Sequence, residues 1–370
     1  MSKLSDYVIN LESGGRDKGG AIKEGIPSLG AEHLNSKGGF DLNSKKLKFI
    51  SKKYFLSMKT GIIKHNDIII VKDGATTGKV SFVTSDFPFE KAAINEHLFI
   101  LRADNRLYPK YLFYFLLSDD GKRKILNDFR GSTIGGISRN FINMEIFIPP
   151  IKEQIEIARI LDILKDLISL RENQIEKFNI LIKSRFVEMF GDLNTNPKDF
   201  PIFKLENICN KITDGKHGGC NIENSSGYYY VGAREIYDGE IHYDLATQIT
   251  YKDFKKDYNR CNIENGDLVI VNTGATIGKT AIANNVMTER TLLQKSVALL
   301  KIKSNVVLPK FLQYCFITNP TLYKVESASA QPNLLISKIK STSIYVPSID
   351  LQNQFAAFVR QVDKLKFNKI

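Results

Sequence analysis

Residues 66–80 read NDIIIVKDGATTGKV, and residues 266–280 read GDLVIVNTGATIGKT. Eight of these fifteen positions are identical at an offset of 200: Asp67/Asp267, Ile70/Ile270, Val71/Val271, Gly74/Gly274, Ala75/Ala275, Thr76/Thr276, Gly78/Gly278 and Lys79/Lys279. The correspondence extends outward in order. Lys3-Leu4 matches Lys204-Leu205, Gly30-Ala31 matches Gly232-Ala233, and Pro109-Lys-Tyr-Leu matches Pro309-Lys-Phe-Leu. Ile146-Phe-Ile-Pro149 matches Ile344-Tyr-Val-Pro347, and Gln154 matches Gln352. Ordered matches at offsets of 198 to 202 mark a tandem duplication of a unit of roughly 200 residues. A period this long means two copies of a domain and not a solenoid.

Each copy opens strand-rich. Ile68–Val71 is a short apolar run ahead of a glycine turn, the pattern of a buried strand, and Leu98–Leu101 and Val297–Leu300 resemble it. The apolar run after Pro109 opens a helix. From Ile151 to Phe190 there is neither Pro nor Gly. Ile157, Leu161, Leu164, Ile168, Ile175, Phe178, Ile182 and Met189 recur in alternating steps of four and three, with Arg171 and Arg185 in register. That is a heptad seam on a continuous helix of ~60 Å. Gly191-Asp192 ends it and Asn194–Pro197 is a linker. A counterpart starts at Ile349, with Phe355, Val359 and Val362 in register, and is about twenty residues shorter. Two such seams most simply pack on each other, in antiparallel fashion. The expected division is a first domain at 1–150, a spacer helix at 151–192, a second domain at 193–348 and a short helix at 349–370.

Composition narrows the class. Of 370 residues, 43% are hydrophobic and 25% charged, which excludes global disorder and collagen-like structure. No run approaches eighteen apolar residues, and residues 1–6 do not read as a secretory signal. Cys209, Cys220, Cys261 and Cys315 lack metal-ligand spacing, so a reduced cytoplasmic protein is expected. The net charge of +12 favours a polyanionic partner.

With the GATTGK and GATIGK loops, the Ile-Pro-Pro-Ile and Val-Pro-Ser-Ile steps and the helix ending Lys183-Ser-Arg-Phe-Val-Glu-Met-Phe-Gly-Asp192 in order, the chain resembles the specificity subunit of Type I restriction–modification systems. The resemblance covers essentially the whole chain and departs from the family in the short second helix. It implies an α+β fold. Two repeated target-recognition domains alternate with two long helices that pair as an antiparallel coiled coil with pseudo-two-fold symmetry. It also implies that double-stranded DNA is bound, that two methylation subunits dock, and that a restriction/motor subunit joins them. S-adenosylmethionine, ATP and magnesium would sit on those partners and none on this chain. The docking candidates on the spacer helix are Ile157, Leu161, Leu164, Ile168, Phe178, Ile182 and Phe186; packing within the chain is the competing use of that face.

No catalytic centre is legible. A phosphate-cradling loop needs four residues between its first Gly and the Gly-Lys pair, whereas three separate Gly74 from Gly78 and Gly274 from Gly278. A tight turn after a strand is the plain reading, with DNA contact compatible through Lys79 and Lys279 on its rim. Asp67 and Asp267 lead into strands and suit turn or cap roles. His33, His65, His97, His217 and His242 are too scattered for a metal. Candidate DNA contacts lie in loops that differ between the copies: Arg16, Lys18, Lys72, Thr76, Lys79, Arg130 and Thr133 in the first, and Lys216, His217, Arg234, Asn272, Thr276, Lys279, Gln331 and Asn333 in the second. Arg reads guanine and Asn or Gln reads adenine through paired hydrogen bonds, while Lys mostly holds phosphate. Tyr228–Tyr230 reads as a strand before it reads as a stacking platform. The alternatives are a stand-alone endonuclease, a protein scaffold, and an inactive or assembly-defective specificity subunit.

Overall fold

The computed structural model describes residues 2–17, 19–42, 47–131, 135–324 and 333–367. The chain forms two compact units, residues 1–170 and 171–370, and the boundary between them falls inside the helix expected at 151–192.

In the first unit, strands β1 (Val8–Ser13), β2 (Ile68–Val71), β3 (Val80–Phe82) and β4 (Leu98–Ala103) form an antiparallel sheet in the order β1-β4-β2-β3. The unbroken apolar run of β2 has a simple cause. Side chains alternate across a strand, and both faces of this sheet are buried. Ile68 and Ile70 join a core with Leu101, Leu112, Phe113 and Leu116, whereas Ile69 and Val71 join another with Leu29, Leu34, Leu98 and Ile100. The first core is roofed by α1 (Pro109–Leu117), which has its proline in the first turn. The second lies under a small sheet in which Ile26–Leu29 pairs antiparallel with Lys48–Ile50 and parallel with Ala93–Ile94. Ser2–Lys3 pairs with Glu145–Ile146, after which the chain enters α2 (Ile151–Phe190).

The second unit repeats this plan. Strands β5 (Cys209–Asp214), β6 (Leu268–Val271), β7 (Thr280–Ile282) and β8 (Val297–Ile302) take the order β5-β8-β6-β7. Leu268 and Ile270 face one core, Val269 and Val271 the other. Tyr229–Val231 pairs antiparallel with Thr247–Gln248 and parallel with Thr291–Leu293. Ile202–Lys204 pairs with Ser343–Tyr345. Helix α3 (Pro309–Thr318) stands where α1 stands, and α4 (Ile349–Phe367) follows.

Helix α2 is used differently along its length. Its first turns lie on the first unit: Ala158 is buried, and Asp162 accepts hydrogen bonds from Lys110 at 2.7 Å and Tyr114 at 2.6 Å. Its last turns belong to the second unit. There Phe186 lies 5.3 Å from Phe355, 5.6 Å from Phe311 and 4.9 Å from Phe190. Arg171 donates to the Lys366 carbonyl and Arg185 lies over the Phe358 ring, so α4 runs antiparallel to this part of α2. Residues 163–170 are exposed throughout. Among the described residues, the contacts between α2 and α4 run from Arg171, beside Lys366, toward the C-terminal end of α2.

The turn reading of the two aspartates holds. Asp67 accepts from the Lys64 amide and Asp267 from the Glu264 amide, at 2.7 and 2.8 Å. Each also pairs with a cation, Arg102 at 2.6 Å and Lys301 at 2.9 Å.

Candidate DNA interface

Four loops converge at the end of β2 in the first sheet. The Lys72 amide donates to the His97 carbonyl, and its ammonium donates to the Glu96 carbonyl at 2.6 Å. The Gly74 amide donates to Gly135, and Ile137 to Lys72. The loop after β1 closes the set: a Cβ at Gly14 would overlap the carbonyl oxygens of Ile94 and Asn95, so only glycine allows this approach. A chain of polar contacts runs across these loops, with Arg16 3.8 Å from Glu96, His97 2.5 Å from Asp73, and Lys72 3.5 Å from Asp73.

The second unit brings equivalent segments together with different side chains. A Cβ at Gly215 would overlap the carbonyls of Leu293 and Gln294. The Lys216 amide donates to Leu293, Asn272 to Ser296, and Leu334 to Asn272. Thr273 and Asn333 share a hydrogen bond of 3.2 Å. His217 lies 2.8 Å from Asp214, which also accepts from Arg260. Burial alone would raise the Asp214 carboxyl, but the bonds from His217 and Arg260 outweigh it and hold it below the usual range. Gly74, Gly78, Gly274 and Gly278 have φ of 97°, 83°, 98° and 91°, the left-handed conformation that the turn reading required.

The fates of the sequence candidates diverge. Arg16, Thr76, Arg130, His217, Arg234, Lys279 and Asn333 are exposed, and Lys72 and Thr276 are partly so. Lys79 is not a rim cation, since its ammonium donates to the Leu34 carbonyl at 3.0 Å. Lys216 is spent on Asp257 at 2.5 Å, and that bond raises its basicity. Asn272 is 4% exposed and offers no edge to a base. Arg234 is held by Glu235 and the Leu245 carbonyl, beside the second small sheet. Lys18, Thr133 and Gln331 lie outside the described residues. Tyr228 packs 4.7 Å from Phe254 and 5.1 Å from Tyr251, which accounts for it within the core. Sequence reading missed one of the four loops, Asn95–His97 and Gln294–Ser296; its position just ahead of the matching strands β4 and β8 was the available signal.

The docking candidates also separate. Ile157, Leu164 and Ile168 are exposed, and Leu161 is half-buried. Ile182 and Phe186 are fully buried and Phe178 packs against the same core, so these three are covered by the chain itself and not open to a partner.

Among the described residues no three His, Cys, Asp or Glu side chains gather as a metal site, and no helix is long and apolar enough to cross a membrane. Burial pushes the Cys209 thiol up to about 12 and that of Cys261 to about 11.

Comparison with known proteins agrees with this architecture. Residues 8–179 and 197–370 each match the family described as Type I restriction modification DNA specificity domain. The Type I restriction enzyme MjaVIII specificity subunit of Methanocaldococcus jannaschii is 23% identical over 330 residues, covering 84% of this chain and 75% of that protein. The EcoBI specificity subunit of Escherichia coli is also 23% identical, over 81% of this chain and 66% of its own length. The crystal structure of an S subunit from M. genitalium superposes with a TM-score of 0.54 at 16% identity, covering 99% of this chain and 89% of that one. A second structure, from work on assembly and conformational transition of the type I R-M system, gives 0.52 at 17% identity over 99% and 90%. Two matched domains that fill nearly all of the sequence, each carrying the same loop convergence, place the chain in the Type I restriction–modification DNA specificity family.

Proposed function

We propose that each unit reads one half of a bipartite, asymmetric DNA site, and that α2 sets the unread gap between the halves. The carrying observation is the repeated convergence of four loops on equivalent scaffolds with different side chains: Arg16, Lys72, Asp73 and His97 in one unit, and His217, Thr273 and Asn333 in the other, where Arg260 reaches Asp214 from the end of the helix Tyr251–Cys261. A shared scaffold sets the docking geometry, and the differing side chains select different bases. The chain itself is non-catalytic in this reading. Two methylation subunits dock on the exposed apolar stripe of α2 and carry out S-adenosylmethionine chemistry on adenine. A motor-endonuclease subunit using ATP and magnesium joins for cleavage. The assembly works in the cytoplasm.

The test is an adenine-methylation map of a host without other methyltransferases, expressing this chain with its neighbouring methylation subunit. A bipartite methylated motif that disappears without this chain is expected. Soluble partners that leave no motif would overturn the reading.

A further inference from the structure

We infer that Gln154 and Gln352 are positioning residues that fix the direction in which each long helix leaves its recognition unit, and that Gln154 thereby sets how strictly the gap is measured. The inference rests on the bipartite reading above.

Both glutamines are fully buried, and the structure gives each the same three hydrogen bonds. Gln154 Oε1 accepts from the Tyr108 amide at 2.7 Å, and its Nε2 donates to the Arg106 carbonyl at 3.0 Å and the Pro149 carbonyl at 2.8 Å. Gln352 Oε1 accepts from the Leu308 amide at 2.8 Å, and its Nε2 donates to Val306 at 3.1 Å and Pro347 at 2.9 Å. One side chain thus ties together three segments: the turn ahead of α1 or α3, the proline step, and the first turn of the long helix. Only an amide can do this, because a carboxylate lacks the donors and an ammonium lacks the acceptor. The neighbouring anchor is not duplicated. Asp162 holds Lys110 and Tyr114 in the first unit, while the matching position in α4 is Arg360. The glutamine clamp is the feature that both copies share.

Magnitude explains why a clamp matters here. Helix α2 has 40 residues. At 1.5 Å per residue, a tilt of about 3° at its anchored end swings the far end sideways by about 3 Å while changing its reach along the original axis by only about 0.1 Å. Helix length thus sets the reach, and a fixed angle of departure keeps the far end over one place on the duplex surface, without which sites of neighbouring gaps are less sharply told apart.

The direct test measures the spread of helix directions within the first unit. Spin labels at Thr84→Cys and Ile168→Cys, in a Cys220→Ser background, report a distance distribution. It is expected to be narrow with Gln154 and at least about twofold broader in Gln154→Met, a near-isosteric change that removes every clamp bond. Should that variant not fold, Gln154→Glu keeps the acceptor for Tyr108, loses the donors, and is expected to broaden the distribution to a lesser degree. An unchanged distribution in a folded variant overturns the inference. The functional arm compares methylation at sites with the natural gap and gaps one base pair longer or shorter. The native chain is expected to prefer its gap by about a hundredfold, and Gln154→Met by less than about tenfold, with both half-sites unchanged. A uniform loss at all gaps, or full gap selectivity despite a broadened distribution, overturns the assigned role. If the native chain yields no motif, the bipartite reading fails, while the distance measurement still decides the clamp.

Discussion

Lys79 and Lys279 hold the same place in two copies of one loop, yet one amine turns inward to the Leu34 carbonyl and the other is exposed. Lys279→Ala is therefore expected to weaken DNA binding evenly across sequences and to lower the slope of log K against log salt by about 1. Lys79→Ala should leave that slope alone and cost about 1.5–3 kcal/mol of stability, the usual range for a hydrogen bond to a charged group. Binding isotherms at several salt concentrations and urea unfolding separate the two. Gly14→Ala forces a methyl group into the carbonyls of Ile94 and Asn95. A loss of about 1–3 kcal/mol is expected in denaturant unfolding, with the loops of the first unit driven apart. The glycines were legible because a backbone that must adopt φ near 90° leaves only one residue type. The aim of each lysine was not, because an identical GK sequence is compatible with either direction and the neighbour that decides it, Leu34, is 45 residues away. Asn272 misled for a related reason: a polar residue beside a glycine turn reads as a surface group, but here it sits under the loop it was expected to crown.

At the scale of the element, α2 shows where periodicity stops informing. Its apolar residues keep the same spacing from Ile157 to Met189, so its helicity and length were readable. Which stretch is covered was not, because period reports a stripe and not what lies against it. Phe186→Ala opens a space among Phe190, Phe311, Tyr314 and Phe355 and should cost about 3–5 kcal/mol in chemical denaturation. Leu164→Ala and Ile168→Ala change exposed positions and should stay within about 0.5 kcal/mol. The same two substitutions are expected to weaken capture of the methylation subunit, read by titration calorimetry, whereas Phe186→Ala should act on that affinity only through folding. The strands followed a simpler rule. Runs such as Ile68–Val71 announce burial on both faces, and the structure supplies a separate core for each face.

At the scale of the whole molecule, the duplication was the most legible property, since ordered matches over 200 residues leave no other explanation. An inserted heptad after Leu167, in the stretch of α2 that is exposed throughout, adds about 10 Å to the helix, or about three base-pair steps. The methylation map of that variant should show both half-sites unchanged and a gap longer by about three base pairs; altered half-sites would mean that the helix does more than separate. The ends of the segments that carry the converging loops also lie side by side, Ser2 pairing with Ile146 and Ile202 with Tyr345. A segment whose two ends meet can be lifted out and replaced through two nearby joints. Recombination between related genes could thus trade one recognition unit for another like a cartridge, and the lineage would acquire a new hybrid address on DNA in a single event while every surface used for assembly stayed as it was.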